Sequence, residues 1–350
     1  MRRRLSLHTI LLLSSLLPRL AAAAHAPCEP PAGTRPLEFQ SDGNTLRGFI
    51  DLPQTHGRHP AILIVQGGAD SEVTANKYYN EMRPAFRAAG IATVLWDKAG
   101  NGCSSGKYPN PVLPLQERVS ETLAALALIK KRDDIDSRRI GLWALSQGGW
   151  IAPMAAIRSP DIAYLIVVSG PGRDALSLGA YPSMKLLHDA GVDEAEARKA
   201  YETLRRGIAI LRAGGTAEEA LAADKGLEKY PALRPTYQLD LAGARNLQAL
   251  LRDPAWSLEA GAFLRYVNQP TLAIFGKRDA VVDWRESIAI YRSAFEQSGN
   301  RDLTIKVFDD ADHEMLPSAD GRSANSIFVY GYLQTMISWL DARAFTGRQR

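Results

Sequence analysis

Cysteine is scarce: Cys28 and Cys103 are the only two in 350 residues, and neither has metal-ligand spacing, so a thiolate-built metal module is excluded. A basic stripe interleaved with aromatics is also lacking. The net charge of +4 is weighted to the ends, to Arg2-Arg3-Arg4 and to Arg343, Arg348 and Arg350, and the near-neutral middle speaks against a nucleic-acid groove. No internal repeat is visible, and no low-complexity linker beyond Pro27 to Pro36. The mostly apolar run from Leu5 to Leu17 is too short to span a bilayer comfortably and is broken by Pro18-Arg19, so a membrane anchor is the weaker reading of it.

What is present fits a globular protein. Hydrophobic residues at 46% against 23% charged leave enough apolar material for a sizeable core, far from the composition of a disordered chain. The N-terminus has the order of an export signal: three arginines, the apolar run, then Ala21-Ala22-Ala23-Ala24, with cleavage expected after Ala24 and a periplasmic or secreted product. The paired arginines match twin-arginine export poorly. In an oxidising compartment Cys28 and Cys103 could pair, and two unpaired thiols fit the sequence as well.

Beyond Pro53, short β-branched runs alternate with helical patterns, the signature of βαβ units around a mostly parallel sheet. Strands are expected at Ala61–Val65, Ile91–Trp96, Arg139–Ala144, Ile162–Val168, Thr271–Phe275 and Leu303–Phe308. Helices are expected at Tyr79–Ala89, Leu115–Lys131, Gly148–Arg158, Trp284–Gln297 and Ile327–Ala344. A hairpin over Leu37–Gln40 and Thr45–Leu52, turning at Ser41-Asp-Gly-Asn44, should sit on a sheet edge. Between about Arg173 and Tyr266 only helical periodicity remains, over a span too long for a loop. The expected organisation is therefore a signal peptide (1–24), a linker (25–36), an α/β core in two parts (37–172 and 267–345) and a helical cap insertion (173–266).

The stretch that carries chemistry is GLWALSQGGW, Gly141 to Trp150. A buried strand enters a serine turn and a helix follows, which lifts the Ser146 hydroxyl out of the sheet end. Gln147 and Gly148 open the helix, whose free N–H groups favour a developing negative charge. A serine that merely caps a helix is the plain alternative. The stretch resembles the nucleophile elbow of α/β-hydrolase-fold serine hydrolases, with Ala144 where glycine is usual. That position needs a small side chain, and one methyl is the smallest departure.

The resemblance implies an order of nucleophile, acid after a late strand, and histidine near the C-terminus. Of six histidines, His8 and His25 lie in or beside the signal, His56 and His59 precede the first buried strand, and His188 falls in the insertion. His313, after the last strand, remains as the general base. Phe275-Gly-Lys-Arg-Asp279-Ala-Val-Val-Asp283 resembles the acid-bearing loop; Asp279 is the first candidate and Asp283 the second, while Asp309, Asp310 and Asp312 lie too near His313 in sequence. The oxyanion donors implied are the backbone N–H groups of Gly68, in Gln66-Gly67-Gly68, and of Gln147. Gln66 stands where the family often has histidine. Asp97-Lys-Ala-Gly-Asn-Gly-Cys-Ser104 resembles a further loop of the fold, one that braces the site.

The expected activity is a carboxylesterase acting through an acyl-enzyme on a small-molecule ester, with no metal or organic cofactor and no nucleic-acid partner. An aminopeptidase-like amide hydrolase is the second reading. A binding protein that keeps the fold with Ser146 silent is the third.

Overall fold

The computed structural model describes residues 29–68, 72–73, 76–108, 113–317 and 327–347. The expected signal peptide and Cys28 lie outside the described residues. Two compact units divide the described residues, one comprising Arg173–Leu258 with Ala280–Asp283, the other the described residues within 29–172, 259–279 and 284–347.

The larger unit is built on an eight-stranded sheet of order β1-β2-β4-β3-β5-β6-β7-β8. Its strands are β1 (Arg35–Ser41), β2 (Asn44–Asp51), β3 (His59–Val65), β4 (Ala92–Trp96), β5 (Ile135–Leu145), β6 (Leu165–Val168), β7 (Thr271–Gly276) and β8 (Leu303–Phe308). From β4 to β8 every neighbouring pair is parallel. That is why β3, β4, β6 and β7 read as unbroken apolar runs: helices cover both faces, and every residue of these four strands is buried. The leading hairpin pairs antiparallel with β4 and turns at Asp42 and Gly43, whose φ values of 46° and 77° match the right-handed twist of the strands.

Helices α1 (Lys77–Ala88), α2 (Leu115–Ile129) and α3 (Gly148–Arg158) follow β3, β4 and β5. Among the described residues, the chain after β6 enters the smaller unit with α4 (Ala175–Ala180), α5 (Pro182–Asp189), α6 (Glu194–Arg212), α7 (Ala217–Ala223) and α8 (Leu241–Leu250). That unit has its own core, with Leu187, Tyr201, Leu204, Leu227 and Leu233 at its centre. Asp193 caps α6, and Thr216 with Glu219 forms a reciprocal capping box on α7. The larger unit then resumes with α9 (Gly261–Leu264), α10 (Trp284–Ser298) and α11 (Tyr332–Ala342). In a parallel sheet all these crossovers return the chain to the same edge, so the loops after β3 to β8 gather at the carboxyl ends of the strands.

Candidate active site

Ser146 follows directly on β5 with φ of 53°, a left-handed conformation that a side chain adopts only where its surroundings impose it. Its N–H donates to Val168 O at 3.0 Å and its carbonyl accepts from Gly149 N–H at 2.7 Å, so the turn is held from both ends. The glycines behind it are required by contact. A Cβ on Gly148 would stand 2.6 Å from Val65 O and 3.2 Å from the Ala144 Cβ, and one on Gly149 would stand 2.5 Å from Gly170 Cα. The methyl of Ala144 therefore fits because position 148 carries none.

His313 sits in the loop after β8. Its Nδ1 lies 2.9 Å from Asp279 Oδ2, with the Asp279 side chain fully buried and the imidazole 17% exposed. Burial alone would push the imidazolium down, but the Asp279 carboxylate, by charge and by hydrogen bond, outweighs it with help from Glu314 and Asp312, and the His313 pKa is raised above its ordinary value. The loop is fixed at three points. Ser169 Oγ, just past β6, donates to His313 O at 2.8 Å. Gly276, at the end of β7, has room for no side chain against Ala311 O and Asp312 O. Asp312 Oδ1 accepts the N–H groups of Glu314 and Leu316 at 2.9 and 2.8 Å. The other aspartates have separate partners: Asp309 pairs with Lys277, Asp310 with Arg278, and Asp283 with Arg198 at 3.0 Å within the smaller unit. The structure thus brings Asp279, and not Asp283, to the imidazole.

β5, β6, β7 and β8 are successive neighbours, so the residues that follow them share one edge of the sheet. Of five non-glycine residues with positive φ among those described, Ser146, Ser169 and Met315 cluster here, as strained backbone does at working sites. Among the described residues no hydrogen bond joins Ser146 to His313; such contacts commonly close only with substrate in place. On the other side of Ser146 the Gly67 Cα approaches closely: a Cβ there would lie 3.5 Å from the Ser146 Cβ, and one on Gly68 3.4 Å from Gln147 Nε2. Neither the Gly68 N–H nor the Gln147 N–H has a hydrogen-bond partner among the described residues. Two open donors beside a strained serine make a fitting cradle for an oxyanion.

The profile of the serine aminopeptidase family S33 matches residues 58–320. The chain belongs to that family. Its fold is the α/β-hydrolase fold: the esterase Pf2001 of Pyrococcus furiosus superposes with a TM-score of 0.57 at 16% identity, over 91% of this chain and 99% of that one. Esterase EstD of Thermotoga maritima is 26% identical over 284 residues, 80% of this chain and 60% of that protein. A thiohydrolase of Arthrinium phaeospermum, apmlB, is 31% identical over 134 residues, 38% of this chain and 41% of that protein. The matched regions are thus under two thirds of either relative's length.

Several residues that work at this site carry no motif. Gln66, in the place of the family's histidine, turns its Nε2 to Trp96 O and so ties the end of β3 to the end of β4. Tyr79 accepts the Gly67 N–H at 3.2 Å, and its burial raises the phenol pKa, keeping it neutral. Ser169 occupies the place after β6 that Ser146 occupies after β5, a positional hint that the sequence did offer. The Asp97 loop is fastened on all sides: Asp97 Oδ1 and Oδ2 accept from Val73 and Cys103 N–H at 2.7 and 2.9 Å, and Ser104 and Ser105 Oγ accept from Arg47 and Thr45 N–H at 2.9 and 2.8 Å. Beneath it, fully buried Arg118 pairs with Glu121 at 2.9 Å, and Glu121 Oε1 takes the Ala99 N–H at 3.0 Å. Cys103 is disulfide-bonded; the sequence's other cysteine is Cys28. Among the described residues no three His, Cys, Asp or Glu side chains are grouped so as to hold a metal ion.

Proposed function

We propose that this chain is an exported serine hydrolase that cleaves a carboxylic ester through an acyl-enzyme. Ser146 Oγ attacks the ester carbonyl while its proton passes to His313 Nε2, and Asp279 at Nδ1 holds the ring and balances the imidazolium. The carbonyl oxygen, now anionic, takes the N–H groups of Gly68 and Gln147. Collapse expels the alcohol, which receives the proton from His313, and water activated by the same imidazole then releases the acid and restores Ser146. The observation that carries this reading is the 2.9 Å contact of Asp279 with His313 Nδ1, on the sheet edge where Ser146 is held at φ of 53°.

Preference for an ester is supported by the similarity to Esterase EstD, which extends over 80% of this chain. The family's description, a serine aminopeptidase, favours amide cleavage as the second reading. Export is supported by the order of residues 1–24 and by the disulfide at Cys103, since disulfides persist in oxidising compartments.

Labelling by a fluorophosphonate tests the nucleophile: modification should vanish in Ser146→Ala, and an unlabelled, well-folded wild-type protein would refute the enzyme. Turnover of p-nitrophenyl esters beside aminoacyl-p-nitroanilides separates the two substrates, and faster anilide cleavage would overturn the ester assignment.

A further inference from the structure

The carbonyl side of the glycine turn is as firmly held as the Gly68 N–H is open. Lys98 is fully buried, its Nζ donates to Gly67 O at 3.2 Å, and the Tyr108 ring lies 4.8 Å from the ammonium. Tyr108 donates its hydroxyl to Gly68 O at 3.2 Å and reaches Gln147 Oε1 at 3.4 Å. In a trans peptide C=O and N–H point to opposite sides. Holding Gly67 O against Lys98 therefore turns the Gly68 N–H the other way.

We propose that Lys98 is a positioning residue for the oxyanion hole: seated on Tyr108, its ammonium fixes and polarises the Gly67–Gly68 peptide so that the Gly68 N–H meets the oxygen of a carbonyl under attack by Ser146. The proposal rests on the hydrolase reading. A cation on the oxygen of a peptide draws charge from its N–H and strengthens that donor, an effect that grows in a dry site and as the oxyanion develops. Fastening the Asp97 loop does not need this charge. Asp97, Ala99, Ser104 and Ser105 are already bonded to β2, Val73 and Glu121, and Cys103 to Asp97, without it. Desolvating an ammonium is costly, and a neutral side chain could fill the space at less cost. The ammonium stands on the carbonyl of the peptide that presents the donor.

The test is Lys98→Met, which keeps length and apolar stem and removes the charge, beside Tyr108→Phe, which keeps the ring and removes the donor to Gly68 O. For Lys98→Met, kcat on an activated ester should fall by about 10- to 100-fold, with KM changed by no more than about threefold, as when an oxyanion donor is weakened. Affinity for a trifluoromethyl ketone, which forms the tetrahedral adduct, should fall by the same factor. Tyr108→Phe should lose about 3- to 10-fold in kcat, and carries the test alone if Lys98→Met does not fold. Wild-type kcat in a folded Lys98→Met, a loss confined to KM or to melting temperature, or wild-type kcat in Tyr108→Phe when Lys98→Met is unfolded would each overturn the proposal. Ser146→Ala is run alongside. If it retains wild-type turnover, the hydrolase reading itself falls and the proposal with it; if it is inactive, an unaffected Lys98→Met sinks the positioning role alone.

Discussion

Gly148→Ala probes the corner on which Ser146 stands. Position 148 opens α3 without a left-handed φ, so backbone conformation does not forbid alanine. Helix propensity alone would favour the change by up to about 1 kcal/mol. Contact decides otherwise. The new methyl would lie 2.6 Å from Val65 O, about 0.8 Å short of an ordinary 3.4 Å contact, with the Ala144 methyl at 3.2 Å behind it. β3 is the fully buried strand between β4 and β5 and cannot recede, so α3 and the turn must move by a large part of that distance. Overpacking of this kind costs about 1–3 kcal/mol, more than propensity returns. Because the moving segment carries Ser146 and the Gln147 N–H, a displacement approaching 1 Å should also lower kcat by about 100-fold. Urea unfolding and ester kinetics read the two effects separately. Adding Ala144→Gly removes the 3.2 Å contact but leaves the carbonyl clash, so the double variant should recover little. A Gly148→Ala protein with wild-type stability and kcat would refute the reasoning.

Other expectations concern charges. Asp279→Asn should lower kcat by about 10⁴-fold by leaving His313 in the wrong tautomer; Asp283→Asn, which loses the ion pair with Arg198, should keep turnover within about threefold, and the reverse ranking in steady-state kinetics would reassign the acid. Since His313 must be neutral to accept a proton and its pKa is raised, the acid limb of kcat/KM should have its midpoint above pH 6.5, and in Asp279→Asn, where burial is opposed by Glu314 and Asp312 without the largest raising charge, the midpoint should move down. The stability that ionised His313 gains from Asp279 should be present in full below about pH 6.5 and disappear as pH rises through the raised folded pKa, which urea unfolding against pH would show. Glu121→Gln, by leaving the Arg118 guanidinium buried without its counter-charge, should cost about 3–5 kcal/mol in the same assay.

Much of the sheet could be read from the sequence because its central strands are covered on both faces and leave continuous apolar runs. Edges of elements were less legible. β5 begins at Ile135, four residues before the expected Arg139, because Asp136, Ser137 and Arg138, between Ile135 and Arg139, are polar and partly or fully exposed. α11 begins at Tyr332 and not at Ile327, since Gly331 at φ of 82° breaks helical geometry ahead of it. Ser146, Asp279 and His313 were legible through their order along the chain, but Asp279 and Asp283 follow the same strand, and only side-chain direction separates them. Lys98 was illegible for a physical reason: lysine is ordinarily solvated, so nothing in its neighbours announces full burial. Gln66 similarly gives no sign in sequence that its amide faces Trp96 O.

The left-handed backbone at Ser146 also bears on how this protein would change under selection. A conformation that most side chains resist stores on the order of 1 kcal/mol or more, which glycine would release at once. Ser146→Gly should therefore melt higher than the parent while doing no chemistry. A population screened for heat resistance alone would drift toward that replacement, and only a requirement for turnover keeps the serine in place.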